Sequence, residues 1–235
     1  MKEEIEFEKK FLIRDENTFL DIKGKLRHPN FQDILGYHFE QYFYKERVYR
    51  CFDTFEGDLA KEKTVLECIG ELEKRKVSMS AREREKDYIL TIKLPTQNRE
   101  ERQVYENLIG PENDFYSLNP EDFSEWKPFE MIKEITRGRS LQEVVRLYVK
   151  TSRLLFTSAQ GGLEISVDEV VGKFPFPFNC QTIFYELEIE KEGESPQEDI
   201  EIVSGYFIAQ YPHSLVESPE PKWVKALRFL RGEGL

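Results

Sequence analysis

Apolar and polar residues alternate with a period of two in several segments of the chain. This spacing is typical of a β-strand, in which successive side chains point to opposite faces. The clearest strands are predicted over residues 4–13, 88–94, 163–170 and 183–190. Three more are predicted around residues 47–54, 77–84 and 153–157. The pattern therefore indicates a strand-rich protein.

A helical spacing of apolar residues separates these strands in four places. Helices are predicted over residues 15–27, 59–76, 140–148 and 219–231. In the third, Ser140 would be the N-cap and Glu143 would complete a capping box. In the last, Trp223, Leu227 and Leu230 share one face, which makes the helix amphipathic. The polar stretches 96–128 and 192–199 are predicted to be loops, and the chain from 1 to 235 is expected to form one domain.

The composition favours a soluble globular protein. Of the 235 residues, 39% are hydrophobic and 34% are charged. There is no run of roughly 20 apolar residues that could span a bilayer, and the first ten residues are too charged for a secretory signal. The three cysteines, at unpatterned spacing, indicate neither a disulfide framework nor a zinc site. We therefore expect a cytoplasmic protein without a membrane partner.

The net charge of −11 limits the possible partners. Nonspecific nucleic-acid binding requires a basic face, so we expect no nucleic-acid partner. A small polyanion could still bind if the basic residues were gathered in one cavity and metal ions supplied further positive charge. The sequence does not determine the oligomeric state.

Charged residues lie at positions of the predicted strands where a core would be expected. Glu6, Glu8 and Lys10 share one face of the first strand, and Glu186, Glu188 and Glu190 share one face of a late strand. Arg82 and Arg84 share a face, Lys93 follows on the next strand, and Asp168 ends another alternating segment. For any single strand, a solvated sheet face explains this pattern. Taken together, acidic and basic clusters favour a lumen that holds metal ions against phosphate, because adjacent like charges cost energy unless cations neutralise them.

Five short motifs, in order along the chain, resemble the CYTH superfamily, the triphosphate tunnel metalloenzymes. Glu6-x-Glu8-x-Lys10 resembles the ExExK signature, and Phe52-Asp53-Thr54 resembles the strand with Y/F-D-T. Arg82-x-Arg84 followed by Leu90-Thr91-Ile92-Lys93 resembles the pair of strands R-x-R and LT-x-K. The run 141–153 resembles the helix that leads into a basic strand. Val167-Asp168 and Glu186-Leu187-Glu188 resemble the closing strands.

The resemblance implies an α+β fold that is mainly antiparallel β, with an eight-stranded closed barrel and helices packed outside. It also implies Mg²⁺ or Mn²⁺ as cofactor and a triphosphate-containing small molecule as partner. The implied metal-binding residues are Glu6, Glu8, Glu186, Glu188 and Glu190. The implied phosphate-binding and catalytic residues are Lys10, Arg82, Arg84, Lys93 and Asp168, joined for substrate binding by Lys150, Arg153 and Lys222. The segment 150–153 does not show which of its residues points inward, and residues 57–80 are expected to add a helix over one tunnel mouth.

The function implied by this resemblance is metal-dependent hydrolysis of inorganic tripolyphosphate or thiamine triphosphate. Two alternatives remain open: an adenylate cyclase that makes cyclic AMP from ATP, and a polyphosphate- or nucleotide-binding module without turnover. A third, a structural β-protein with solvated charged faces, predicts that Glu6, Arg84, Lys93 and Glu188 are not buried.

Overall fold

The computed structural model describes residues 2–28, 41–73, 84–96, 101–109, 117–118, 126–158, 161–175, 180–192 and 198–233. The strands in these ranges are β1 (Lys2–Ile13), β2 (Gln41–Asp53), β3 (Val65–Glu73), β4 (Arg84–Pro95), β5 (Glu101–Ile109), β6 (Ser117–Leu118), β7 (Leu141–Ser158), β8 (Gly161–Lys173), β9 (Gln181–Glu192) and β10 (Leu215–Glu217). The helices are α1 (Glu16–Arg27), α2 (Asp58–Lys61), α3 (Lys127–Thr136), α4 (Glu198–Gln210) and α5 (Lys222–Leu230).

Eight of the strands form a closed antiparallel barrel. Their order is β1-β5-β4-β3-β2-β7-β8-β9, and β9 pairs back with β1, where Lys10 lies opposite Glu188. The short strands β6 and β10 extend the sheet beside β7 and β1. Closure satisfies both backbone edges of every barrel strand, so none of the eight is left as an unpaired edge. The predicted barrel architecture is thus confirmed.

The helix predicted over residues 59–76 is wrong. In the described part of this segment only the end of the four-residue helix α2 is helical, and Val65–Glu73 form β3, part of the barrel wall; residues 74–76 lie outside the described residues. The apolar residues of this segment serve two environments: Val65 and Ile69 face the lumen, while Leu66 and Cys68 are buried on the outside against α3. With apolar residues on both faces, the alternation is hidden and an apolar run can be mistaken for a helix.

The helix predicted over residues 140–148 is also wrong, because this segment begins the 18-residue strand β7. The odd-numbered residues from 141 to 149 are all buried, whereas Gln142 and Lys150 are exposed, which is a period of two. Glu143 does not complete a capping box; it accepts two hydrogen bonds from the guanidinium group of Arg146. The resemblance of 141–153 to a helix followed by a strand is corrected to one continuous strand.

The stretches predicted to be loops also contain regular structure. The segment 96–128 includes β5 and the start of α3, and α4 begins within 192–199. The helices α1 and α5 were predicted correctly, α1 with Asp15 as its N-cap accepting from the backbone N–H of Thr18 at 2.8 Å. Among the described helices, none has the length and apolar composition needed to cross a bilayer.

Helix α5 closes one end of the barrel. Trp223 and Ala226 of α5 are buried against apolar residues that face the lumen, including Leu12, Cys51 and Val145. Gly172 of β8 allows this close approach, because a Cβ atom there would lie 2.9 Å from the Cβ atom of Ala226. The apolar end of the lumen is therefore filled by the helix, and the polar remainder of the lumen forms a cavity.

Candidate functional site

The lumen contains a cavity of about 190 Å³ whose described lining is rich in charge. Its acidic side chains are Glu6, Glu8, Glu67, Glu106, Glu164, Asp168, Glu188 and Glu190. Its basic side chains are Lys10, Lys45, Arg47, Lys93, Arg153 and Lys222. Strand alternation explains the arrangement, since every second residue of a barrel strand points inward. Eight carboxylates against six cations leave the described lining with a formal excess of negative charge.

The burial of these groups excludes solvated sheet faces for the strands that carry them. The side chains of Glu6, Lys93 and Glu188 are 9%, 22% and 13% exposed. A solvated face predicts much larger exposure. Three of the four residues that test the structural alternative therefore contradict it; the side chain of the fourth, Arg84, lies outside the described part.

Ion pairs inside the cavity connect charged residues of β1 with one another and with residues of β4 and β9. The ammonium group of Lys93 donates to the carboxylate of Glu6 at 2.8 Å. Lys10 lies 2.7 Å from Glu8 and 3.3 Å from Glu188. Burial opposes charge on all of these groups, yet the carboxylates around Lys10 and Lys93 hold the pKa of both lysines above its ordinary value. Burial likewise opposes the ionisation of Glu8, but Lys10 and Lys93 outweigh it and lower the pKa of that carboxyl group.

Lys222 enters the cavity from the end that α5 closes. Its ammonium group lies 3.0 Å from Asp168 and 3.7 Å from Glu186, and it donates a short hydrogen bond to Glu188. Despite burial, these carboxylates raise the pKa of Lys222 well above its ordinary value. Lys222, predicted from the resemblance alone, is thus brought together with the predicted residues of β8 and β9.

Glu186 is the predicted metal ligand that does not line the cavity. It is completely buried beneath α5 and does not line the cavity, and its carboxylate accepts a hydrogen bond from Lys225 at 2.6 Å. Burial raises the pKa of Glu186 to about 7, against the attraction of Lys225 and Lys222. Burial also lowers the pKa of Lys225, in spite of Glu186. The structure does not bring Glu186 to the cavity surface.

The inward-pointing basic residue of the segment 150–153 is Arg153. Arg153 lines the cavity and donates to Glu164 at 2.8 Å. Lys150 points to the outer face, where it bonds Glu169 and its side chain is 46% exposed. Alternation is the reason, because Lys150 is an odd number of residues from Arg153 and so points to the opposite face. The substrate-binding prediction for Lys150 is therefore not supported by its position.

The predicted basic pair Arg82 and Arg84 is only partly described. Arg82 lies outside the described residues, and Arg84 is the first residue of β4, the same strand that carries Lys93. The expected pair of strands, one with R-x-R and the next with LT-x-K, is therefore corrected. The strand before Lys93 is β3, and at its described cavity-facing positions it carries Val65, Glu67 and Ile69.

Sequence reasoning missed several cavity residues. Lys45 and Arg47 of β2 line the cavity, as do Glu67 and Thr151. The spacing Lys45-x-Arg47 was a usable signal, but the strand was predicted to begin only at residue 47, whereas β2 begins at Gln41. Glu67 was hidden by the wrong helix prediction. Phe52-Asp53-Thr54 has a different outcome: Asp53 lies outside the cavity lining and accepts from the backbone N–H groups of Thr54, Leu59 and Ala60.

The carboxylate oxygens of the cavity are suitable ligands for a divalent cation. Burial, together with Glu6 and Glu164, raises the pKa of Glu190 well above its ordinary value, and a nearby cation would relieve this cost. One oxygen of Asp168, Oδ1, is buried without a hydrogen-bond partner. Among the described residues, no three acidic, histidine or cysteine side chains are grouped to ligate one ion. Mg²⁺ does not need such a cage, since it is usually bound by one or two carboxylates, water and substrate phosphates.

Comparisons with known proteins identify similar sequences and structures. The family model of the CYTH domain matches residues 4–210. A proposed adenylate cyclase of Bacillus halodurans is similar in structure, with a TM-score of 0.55, 17% identity, and coverage of 96% of this chain and 98% of that protein. A proposed adenylyl cyclase from Hippeastrum with a dominant triphosphatase activity has a TM-score of 0.55 and 15% identity, covering 99% of this chain and 97% of that protein. No curated protein matches the sequence.

Proposed function

Because this chain belongs to the CYTH domain family, we propose that it hydrolyses a triphosphate with a divalent metal ion inside its barrel. The proposed substrates are inorganic tripolyphosphate and thiamine triphosphate, and the proposed metal is Mg²⁺ or Mn²⁺. The observation that carries the proposal is the cavity itself, in which eight acidic and six basic side chains face one another. A triphosphate bound with a metal ion needs basic side chains near its phosphate oxygens and acidic side chains near the metal ion.

The size of the cavity favours inorganic tripolyphosphate over thiamine triphosphate as the substrate. Its volume of about 190 Å³ lies below the roughly 300 Å³ at which sites for drug-sized ligands begin. A phosphate chain is long and narrow, and its conversion needs no bulky neighbouring group. The Hippeastrum protein, whose fold is similar at 15% identity, has a dominant triphosphatase activity, which supports hydrolysis as one activity of such a cavity.

The charged side chains can be given separate roles. Glu6, Glu8, Glu188 and Glu190 would hold the metal ion, which when bound supplies charge neutralisation at the phosphate oxygens and a more acidic water molecule. Lys10, Lys93 and Lys222 would bind the phosphate oxygens and stabilise the charge that develops on the transferring phosphoryl group. Asp168, which contacts Lys222 at 3.0 Å, would orient that ammonium group. Arg84 and Arg82 are proposed to add positive charge from β4 and the segment before it.

Phosphate release from tripolyphosphate, thiamine triphosphate and ATP tests the proposal, each with Mg²⁺, Mn²⁺ or EDTA. We expect metal-dependent release of phosphate, since phosphoryl transfer depends on positioning and charge and needs no covalent nucleophile from the protein. Glu188→Gln should lower turnover by at least tenfold. Lys150→Gln, on the outer face of β7, is the matched control and should retain it.

Two other results would identify the alternatives. Cyclic AMP and pyrophosphate formed from ATP would make the protein a cyclase. Binding of tripolyphosphate without turnover under any metal condition would make it a binding module. Full metal-dependent turnover by both Glu6→Gln and Glu188→Gln would contradict the assignment of the site.

A further inference from the structure

Glu67 is a cavity carboxylate to which the roles proposed above give no task. It lines the lumen from β3, and the residues on either side of it on the same face, Val65 and Ile69, are apolar. Its direct neighbour on β2 is Cys51, whose thiol donates to the carboxylate of Glu67 over 4.0 Å. Only 8% of Glu67 is exposed. A carboxyl group in such surroundings keeps its proton more readily than one in water, since burial disfavours the charged form.

The charged groups around Glu67 do not reverse this effect of burial. Three lysines attract the ionised form, yet burial is the largest influence and raises the pKa of Glu67. The thiol of Cys51 stays neutral, because burial raises its pKa well above the ordinary value. The described titratable groups that act most strongly on Glu67 are Cys51 of β2, Lys93 of β4, Lys10 and Glu6 of β1, and Lys222 of α5.

A hydroxyl group lies beside this carboxyl group. Thr91 of β4 is directly opposite Glu67 in the register and also lines the cavity. Its Oγ1 atom is buried and, in the described part of the chain, has no hydrogen-bond partner. A buried hydroxyl group without a partner costs free energy unless a ligand or a water molecule satisfies it. Thr91 and Glu67 thus offer two adjacent polar groups to one ligand oxygen.

Glu67 also lies across the lumen from the proposed metal ligands. Those carboxylates belong to β1 and β9, and β3 is four strands from β9 in either direction around the ring of eight. The attacking and leaving oxygens of a phosphoryl transfer lie roughly in line. Attack from the side of β1 and β9 therefore directs the leaving oxygen towards β3.

We propose that Glu67 is the general acid of the hydrolysis and gives its proton to the leaving phosphate oxygen, to which Thr91 donates a hydrogen bond. The inference rests on the proposed triphosphate hydrolysis and adds a catalytic residue to it. As the oxygen of water forms its bond to the terminal phosphorus, the bond from phosphorus to the bridging oxygen breaks and leaves its electron pair on that oxygen. The bridging oxygen takes the proton of Glu67. The attacking water loses one proton to solvent, and solvent returns one to Glu67.

Hydrolysis of tripolyphosphate by Glu67→Gln, measured at saturating Mg²⁺ across about pH 5–9, tests this role. We expect kcat to fall by about 100-fold, because glutamine fills the same volume but has no proton to give. KM should change by less than about threefold. Wild-type kcat should decline as the pH rises through the folded-state pKa of Glu67, and Glu67→Gln should lack this decline. Glu169→Gln, on the outer face of β8 where Glu169 accepts from Lys150, is the matched control and should behave as wild type.

Two further measurements separate a catalytic role from a structural one. The carboxyl ¹³C resonance that is lost in Glu67→Gln should titrate above pH 4.5 in the metal-free protein. Urea denaturation at pH 8 should show that Glu67→Gln is at least as stable as wild type, because the substitution removes a buried charge.

The outcomes distinguish this inference from the function on which it rests. Turnover by Glu67→Gln within about threefold of wild type would overturn the general-acid role alone. An unchanged pH profile, a carboxyl resonance that titrates at or below pH 4.5, or a less stable Glu67→Gln protein would do the same. If wild type releases no phosphate under any metal condition, the hydrolase proposal fails, and the role of Glu67 fails with it.

Discussion

The ammonium group of Lys225 lies 2.6 Å from the carboxylate of Glu186, and neither side chain is exposed to solvent. Lys225 also donates to the backbone carbonyl of Ser218 at 3.0 Å. The pair joins α5 to β9 beneath the cavity. Burial raises the pKa of Glu186 and lowers that of Lys225, so desolvation opposes the charged form of both groups. The importance of the pair is that loss of either group would leave the other buried without its nearest opposite charge.

Replacing one residue of this pair should destabilise the protein more than replacing both. We expect Lys225→Met to lower the free energy of unfolding by about 3–5 kcal/mol, since it leaves Glu186 buried without its lysine. The double variant Glu186→Leu/Lys225→Met should be more stable than Lys225→Met, because no polar group is left buried alone. Urea denaturation of both single variants and the double variant measures the coupling. Additive losses would show that the two residues do not act as a pair.

Glu67 should make the fold less stable as the pH rises. Burial raises the pKa of Glu67 above its ordinary value of 4.5, against the attraction of Lys93 and Lys222. A carboxyl group with a raised folded-state pKa favours folding below its unfolded pKa, and this contribution is lost as the pH rises through the folded pKa. We expect Glu67→Gln to raise the Tm by roughly 2–4 °C at pH 8, which corresponds to about 1 kcal/mol. The gain should shrink towards pH 4.5; an equal gain at both pH values would contradict this account.

Asp53 should stabilise the protein through α2. Its carboxylate accepts backbone N–H groups of Thr54, Leu59 and Ala60 at 2.7, 2.9 and 3.1 Å. Asp53→Ala leaves these donors without an acceptor and should cost roughly 2–3 kcal/mol in unfolding experiments. Asp53→Asn, which keeps one acceptor oxygen, should lose less. If Asp53→Ala has the same free energy of unfolding as wild type, these hydrogen bonds do not stabilise the protein.

Gly172 should be required for α5 to close the barrel. In Gly172→Ala the new methyl group would lie 2.9 Å from the Cβ atom of Ala226 and 3.2 Å from the Cγ2 atom of Thr182. The helix must then move outward, so hydrogen exchange of residues 222–230 should become faster. The matched variant Gly172→Ala/Ala226→Gly removes the opposing methyl group and should restore protection. Unchanged exchange in Gly172→Ala would show that the contact does not position the helix.

The strands that were predicted correctly are those whose two faces differ in polarity. In β1 and β9, charged residues face the lumen and apolar residues pack against helices, so the alternation is visible in the sequence. In β7, Leu147 and Val149 face the lumen while Leu154 packs outside, and polarity no longer separates the faces. Tertiary structure determines which environment each residue meets, so local spacing did not distinguish residues 140–148 from a helix, although residues 153–157 of the same strand were predicted as a strand.

The candidate site was predicted best where charge broke the expected pattern. Glu6, Lys10 and Lys93 stood out because charged residues occupied strand positions suited to a core. Lys225 could not be found in this way, since a lysine on an amphipathic helix is expected to face water. Its burial depends on Glu186, which is 39 residues away in sequence and becomes a neighbour only when α5 docks.

The pairing of β1 with β9 also constrains how the chain can fold. Phe11 of β1 lies opposite Leu187 of β9 on one edge of the strand and opposite Glu217 of β10 on the other edge. At Phe11, β1 can therefore pair with both β9 and β10 only after about 200 further residues have been synthesised. Such distant contacts close large loops and slow folding. Until then its unpaired backbone and the apolar side of β1 remain available to other chains, so expression at low temperature or with chaperones should improve the yield of folded protein.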